Sequence, residues 1–150
     1  MTSEKKVNIV PCSGIGKSFG SVSRLAAYFI TEDDRPQTTR LIPLALLVLG
    51  DESTHQAVVE DPSITMDGCK LQCAKKMVEQ CGGQIAKDYV VLDVYRDHRE
   101  LKPEGIAELN ENGEKLARAL ADEVDPLVDL TTGSKKEEAH QASLRQKAHV

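Results

Sequence analysis

Cys12, Cys69 and Cys73 are the residues whose type and spacing carry chemistry in this chain. Cys12 opens the glycine-rich turn Cys-Ser-Gly-Ile-Gly-Lys-Ser-Phe-Gly, Cys69 ends the tripeptide Asp67-Gly68-Cys69, and Cys73 follows four residues later. Thiolates are soft ligands suited to zinc and similar ions. Residues four apart on a helix share a face, with Cβ atoms about 5–6 Å from each other. Cys69 and Cys73 are therefore expected to chelate one ion from a single helical face. A helix N-terminus carries partial positive charge that favours a thiolate, and Cys12 also precedes a predicted helix. Taken alone, Cys73 also reads as a small buried hydrophobe, whereas glycine turns such as those of Cys12 and Cys69 offer little core to pack. Cys81 lies eight residues beyond Cys73, about 12 Å along a helix. That separation keeps it out of the cluster, and it reads as a partly buried residue at a helix end.

The first loop admits other chemistries. Gly16-Lys17-Ser18 resembles the end of a phosphate-binding loop, with Asp93 as a magnesium-binding acid. The glycine required five residues before Gly16 is replaced by Pro11, at a position that shapes such a loop. Gly14, Gly16 and Gly20 are spaced somewhat like a dinucleotide-binding turn, but glycines recur wherever a strand turns tightly into a helix. Cys12 before a glycine loop also suits a nucleophile attacking an oxyanion, and Asp125-Pro126 resembles the acid of small tyrosine-phosphatase-like enzymes. Those enzymes place an arginine six residues after the cysteine. Here that residue is Ser18, with Lys17 beside it and Arg24 further along the helix. Lysine supplies only a point charge where arginine clamps with two hydrogen bonds.

The elements that must position these residues alternate along the chain. Residues 6–11 form a short apolar run read as the first strand, and Val22, Leu25, Ala26 and Phe29 recur at helical spacing in residues 21–31. Residues 39–49 are mostly apolar and predict a second strand buried on both faces. A helix capped by Asp51 or Ser53 follows and stops at Asp61-Pro62. Residues 63–66 predict the third strand, 71–80 a helix that could be capped by Asp67, and 89–94 the fourth strand. Residues 103–124 predict a helix bent near Asn112-Gly113, and a polar tail begins after Thr131. This alternation predicts an α/β fold: a three-layer parallel sheet of about four strands with helices on both faces, plus a C-terminal helical extension. Residues 1–97 are expected to form the cysteine-site domain, 98–130 the helical extension packed on it, and 131–150 a mobile tail. Right-handed crossovers put every strand-to-helix loop at the carboxyl edge of the sheet. A strand order of 2-1-3-4 would bring the loops bearing Cys12 and Cys69 to the crevice where that order reverses.

Bulk properties narrow the class. A chain of 150 residues is of a size to form one domain. A net charge of −5, with three Tyr, two Phe and no Trp, argues against a nucleic-acid partner, which needs a basic footprint and stacking platforms. The apolar stretch 41–50 contains Pro43 and is too short to cross a bilayer. The N-terminal residues pass into the first strand without a signal-peptide core, so a cytoplasmic location is expected. In that compartment four cysteines favour metal binding or redox chemistry over permanent disulfides.

Pro11-Cys12-Ser13-Gly14, Asp67-Gly68-Cys69 and Cys73-Ala74-Lys75-Lys76 together resemble the DGC-domain family of zinc-binding proteins, named for its Asp-Gly-Cys motif. The similarity extends over residues 6–97 and is most specific over 67–76. It implies zinc as the bound ion, held by four chelating cysteines, of which Cys12, Cys69 and Cys73 match. The fourth falls where this chain has Pro43-Leu44-Ala45. The resemblance thus implies three thiolates with an open or non-thiolate fourth position, for which His55 is a candidate. Structural zinc sites are closed, whereas transfer and catalytic sites keep a position open. Three thiolates would equally suit a trivalent metalloid such as arsenite. The expected function is binding of a soft metal or metalloid for sequestration, sensing or delivery. The alternative is a thiol enzyme with Cys12 as nucleophile and Cys69 or Cys73 resolving the intermediate as a disulfide.

Overall fold

The computed structural model describes residues 5–133. Its centre is a four-stranded, all-parallel sheet in the order β2-β1-β3-β4, formed by β1 (Val7–Pro11), β2 (Thr39–Leu41), β3 (Ser63–Asp67) and β4 (Ile85–Val90). Side chains alternate across the sheet as a strand requires. Val7 and Ile9 of β1, with Ile64 and Met66 of β3, enter one core, and Val10 enters the other. The first core is covered by α1 (Ser18–Tyr28), α5 (Val91–Asp97) and α6 (Glu111–Thr132) through Val22, Ala26, Val94, Leu116, Leu120 and Val124. The second is covered by α2 (Leu44–Leu49), α3 (Glu52–Glu60) and α4 (Cys73–Gln80) through Leu47, Val58, Ala74 and Val78. This is the three-layer α/β fold expected from the sequence.

Several elements differ from expectation for identifiable reasons. The second strand is only three residues long, and the apolar run continues as α2. Pro43 removes a ladder donor, the Leu-Ala-Leu-Leu segment favours helix, and Gly50 caps it in the left-handed region (φ 84°). Residues 91–94 also leave the sheet. Strand β3 ends at Asp67, the register partner of Val90, so no ladder exists beyond that point. Val91 and Val94 instead meet the core at helical spacing.

Helix α6 starts at Glu111, not near Pro103. The Asn110 side chain accepts the Gly113 N–H at 2.8 Å, so the expected bend at Asn112-Gly113 is the first turn of the helix. The helix continues through Pro126 to Thr132, and its buried face belongs to the main core. Residues 131 and 132 of the expected tail lie within α6. The remainder of that tail, 134–150, falls outside the described residues.

A six-residue π-helical turn, Phe29–Asp34, extends α1. Arg35 immediately after it holds Asp125 and Asp129 of α6 through four hydrogen bonds of 2.7–3.0 Å. These two acids raise the Arg35 pKa, chiefly through the hydrogen bond to Asp125. Arg118 of α6 reaches back to Asp34 in the same region. This double clamp fixes α6 against the end of α1.

Candidate functional site: a cysteine-lined cavity

The strand order reverses between β1 and β3, and the loops after these two strands meet at the carboxyl edge. Three glycines permit the meeting. A Cβ on Gly68 would stand 2.7 Å from the Gly20 nitrogen and 2.9 Å from the Phe19 carbonyl carbon, and one on Gly20 would stand 2.7 Å from Gly14 Cα. Gly14 itself has φ +71°. The Cys12 loop, the first turn of α1 and the loop after β3 therefore stack backbone on backbone. The Cys12 N–H donates to the Met66 carbonyl at 3.0 Å, extending the β1–β3 ladder to the cysteine itself. Ser23 of α1 donates its hydroxyl to the same carbonyl.

Asp67 performs the capping role expected of it. Asp67 is 1% exposed, and its carboxylate accepts the N–H groups of Ala74 at 2.8 Å and Lys75 at 3.1 Å. Burial pushes its pKa above the ordinary aspartate value, an effect opposed by those two backbone donors. The same cap starts α4 at Cys73, two residues later than the sequence pattern suggests. Residues 69–72 consequently form a turn closed by the Gln72 N–H on the Cys69 carbonyl at 3.2 Å. Gln72 adopts φ 52°, a left-handed conformation that costs a non-glycine residue about 1–2 kcal/mol, and its amide donates to Asp88 at 3.3 Å. Cys69 and Cys73 thus do not share a helical face. One lies in the turn and the other is the first residue of the helix.

All three cysteines nevertheless line one cavity of about 140 Å³, together with Ser13, Lys17, Asp67 and Gln72. Cys12 and Cys69 are half-buried, Cys73 is exposed, and all are free thiols. Ile15 and Leu71 at the rim are 79% and 62% exposed. Among the described residues, no three His, Cys, Asp or Glu side chains stand ready to hold a metal ion. The donor set fits a soft ion chemically, while its closure around one requires thiol rotation and adjustment of the 69–72 turn.

His55 is not brought to this cavity. It lies in the first turn of α3, and its Nε2–H donates to the Cys81 carbonyl at 3.1 Å. That carbonyl belongs to the C-terminal end of α4, where helix carbonyls lack intrahelical partners. Cys81 packs against the second core, at the end of α4 away from Cys73, as its spacing predicts. Asp93 sits in α5 and pairs with Arg96 at 2.9 Å, so it does not complete a nucleotide site with Lys17.

Two residues that the sequence tied to the site less directly, Arg24 as a distant oxyanion clamp and Pro43 at the place of the family's fourth cysteine, also stand near Cys12. Arg24 and Pro43 line a second cavity with Cys12. Spacing along α1 offered a weak sign for Arg24, which lies one turn beyond Gly20. The family resemblance aligns Pro43 with the fourth chelating cysteine, and the fold brings it to the same cavity as Cys12.

Fold and site together define a small parallel α/β domain with a three-thiol cavity at the reversal of its strand order. The model of the DGC domain matches residues 8–113, and the chain belongs to that family. No curated protein and no solved structure matches it. Among the described residues, no helix is long and apolar enough to cross a membrane.

Proposed function

We propose that the protein binds a soft metal ion or metalloid, zinc foremost, through the thiolates of Cys12, Cys69 and Cys73, for sequestration, sensing or delivery. The observation that carries this reading is the convergence of three free thiols, from two loops far apart in sequence, on one cavity. Bound zinc would act there as a Lewis acid held by sulfur. The chain's own contribution is to present thiols from a turn that can adjust, with Asp67 anchoring the start of α4. His55 is engaged elsewhere, which leaves the fourth position to solvent or an incoming ligand. An accessible fourth position favours transfer over a structural role. The reading requires reduced thiols, as the cytoplasm maintains.

Elemental analysis of freshly purified protein tests it. The expected result is about one zinc per chain, lost in each of Cys12→Ser, Cys69→Ser and Cys73→Ser, since removing one of three donors leaves a weak two-thiolate site. Equal zinc in the wild type and all three variants sinks the proposal.

A further inference from the structure

Arg24 is a half-buried cation that forms no ion pair among the described residues. Arg35, Arg40, Arg96 and Arg118 each hold an aspartate. Arg24 has no hydrogen bond or ion pair among the described residues. Glu108 and Glu114 line a hollow on one side of it, yet neither forms an ion pair with it. On the other side Arg24 borders a cavity of about 280 Å³, with Cys12, Tyr28, Leu41, Pro43 and Ala45 among its walls. That volume lies near the lower end of small-molecule pockets, roughly 300–1,000 Å³.

An unpaired guanidinium suits an oxyanion, which it meets with two parallel hydrogen bonds. Much of the remaining lining is aliphatic and includes Pro43, so it suits an apolar body and offers little to a fully hydrated ion. We propose that this cavity binds a small organic anion, its carboxylate or phosphate head on Arg24 and its apolar body against Leu41, Pro43 and Ala45. The bound molecule lies beside Cys12, at the wall between this cavity and the three-thiol cavity. The inference stands whether or not the thiols hold a metal.

Calorimetric titration of the full chain with hexanoate, hexyl phosphate, hexanol and inorganic phosphate tests it. At least one of hexanoate and hexyl phosphate should bind one-to-one, and the tighter of the two identifies the head group. Hexanol and inorganic phosphate, each lacking half of the recognition, should bind at least about ten-fold more weakly, a difference of about 1.4 kcal/mol. Arg24→Gln should lose at least the same factor, while Arg99→Gln, at an exposed site, should bind as the wild type does. Independently of any variant, the bound anion should slow iodoacetamide labelling of Cys12 and leave exposed Cys73 unaffected, as read by peptide mass spectrometry. Unchanged affinity in folded Arg24→Gln, no binding of either organic anion at millimolar concentration, or equal protection of both cysteines would overturn the proposal.

Discussion

A side chain on Gly68 would meet main-chain atoms of Phe19 and Gly20 at under 3 Å, and main chain within a packed helix turn cannot step aside as a flexible side chain can. Gly68→Ala is therefore expected to destabilise the protein by about 1–3 kcal/mol, the usual cost of overpacking. It should also separate the two cysteine-bearing loops, so zinc content should fall with stability. Gly16→Ala is the matched comparison. Its φ is +88°, but nothing lies within 4 Å of the added carbon, so only the left-handed backbone cost of about 1–2 kcal/mol applies. Urea unfolding together with metal analysis separates the two. If Gly68→Ala retains its zinc, close approach of the loops is not what assembles the site. In these terms each residue of the Asp-Gly-Cys motif has its own task. Asp67 caps α4, Gly68 admits α1, and Cys69 supplies a thiol to the cavity.

At the scale of elements, α6 runs through a proline that local rules would use to end it. An interior proline loses one backbone hydrogen bond and crowds the carbonyl four residues earlier, at about 3 kcal/mol. The helix persists because Leu116, Leu120, Val124 and Val128 form one buried face across Pro126, and because Arg35 grips Asp125 and Asp129 on either side of it. Pro126→Ala should accordingly raise stability by about 1–3 kcal/mol, seen as a higher urea midpoint at unchanged slope. An unchanged midpoint would mean that the helix already accommodates the ring without strain. The same competition explains what the sequence pattern made legible. The parallel sheet and the position of both cysteine loops at its carboxyl edge follow from alternation and crossover handedness, which are local and chiral rules. The order 2-1-3-4 that makes the loops neighbours is a supposition at the level of sequence, which the structure bears out. The ends of β2, β4, α4 and α6 do not follow from those rules. Residues 44–49 and 91–94 are apolar enough for either state, and partner strands decide that no ladder continues there. The sequence points to Asp67 as the cap, but not to which N–H groups it takes: it reaches Ala74 and Lys75, so the helix starts at Cys73 and leaves Cys69 in a turn. His55 was a candidate ligand by loop position, and only the fold shows its ring on the Cys81 carbonyl.

At the scale of the molecule, the sheet is covered on both faces by apolar side chains that bury completely without any ion, and the thiols stand at its edge. If the thiols hold an ion as proposed, a domain built this way should keep its fold when that ion is removed, unlike small zinc modules that unfold without it. Metal binding adds stability only by mass action, about 2.7 kcal/mol at a hundred-fold excess over Kd. For a chain of this length such a gain raises Tm by several degrees. Chelated protein should therefore give the far-ultraviolet circular dichroism of the zinc-loaded form and melt cooperatively at a lower temperature. Zinc titration should then raise Tm in the wild type and leave Cys73→Ser unmoved. Unfolding on chelation would instead make the ion a structural staple, and the open fourth position at the carboxyl edge would lose its meaning as a point of transfer.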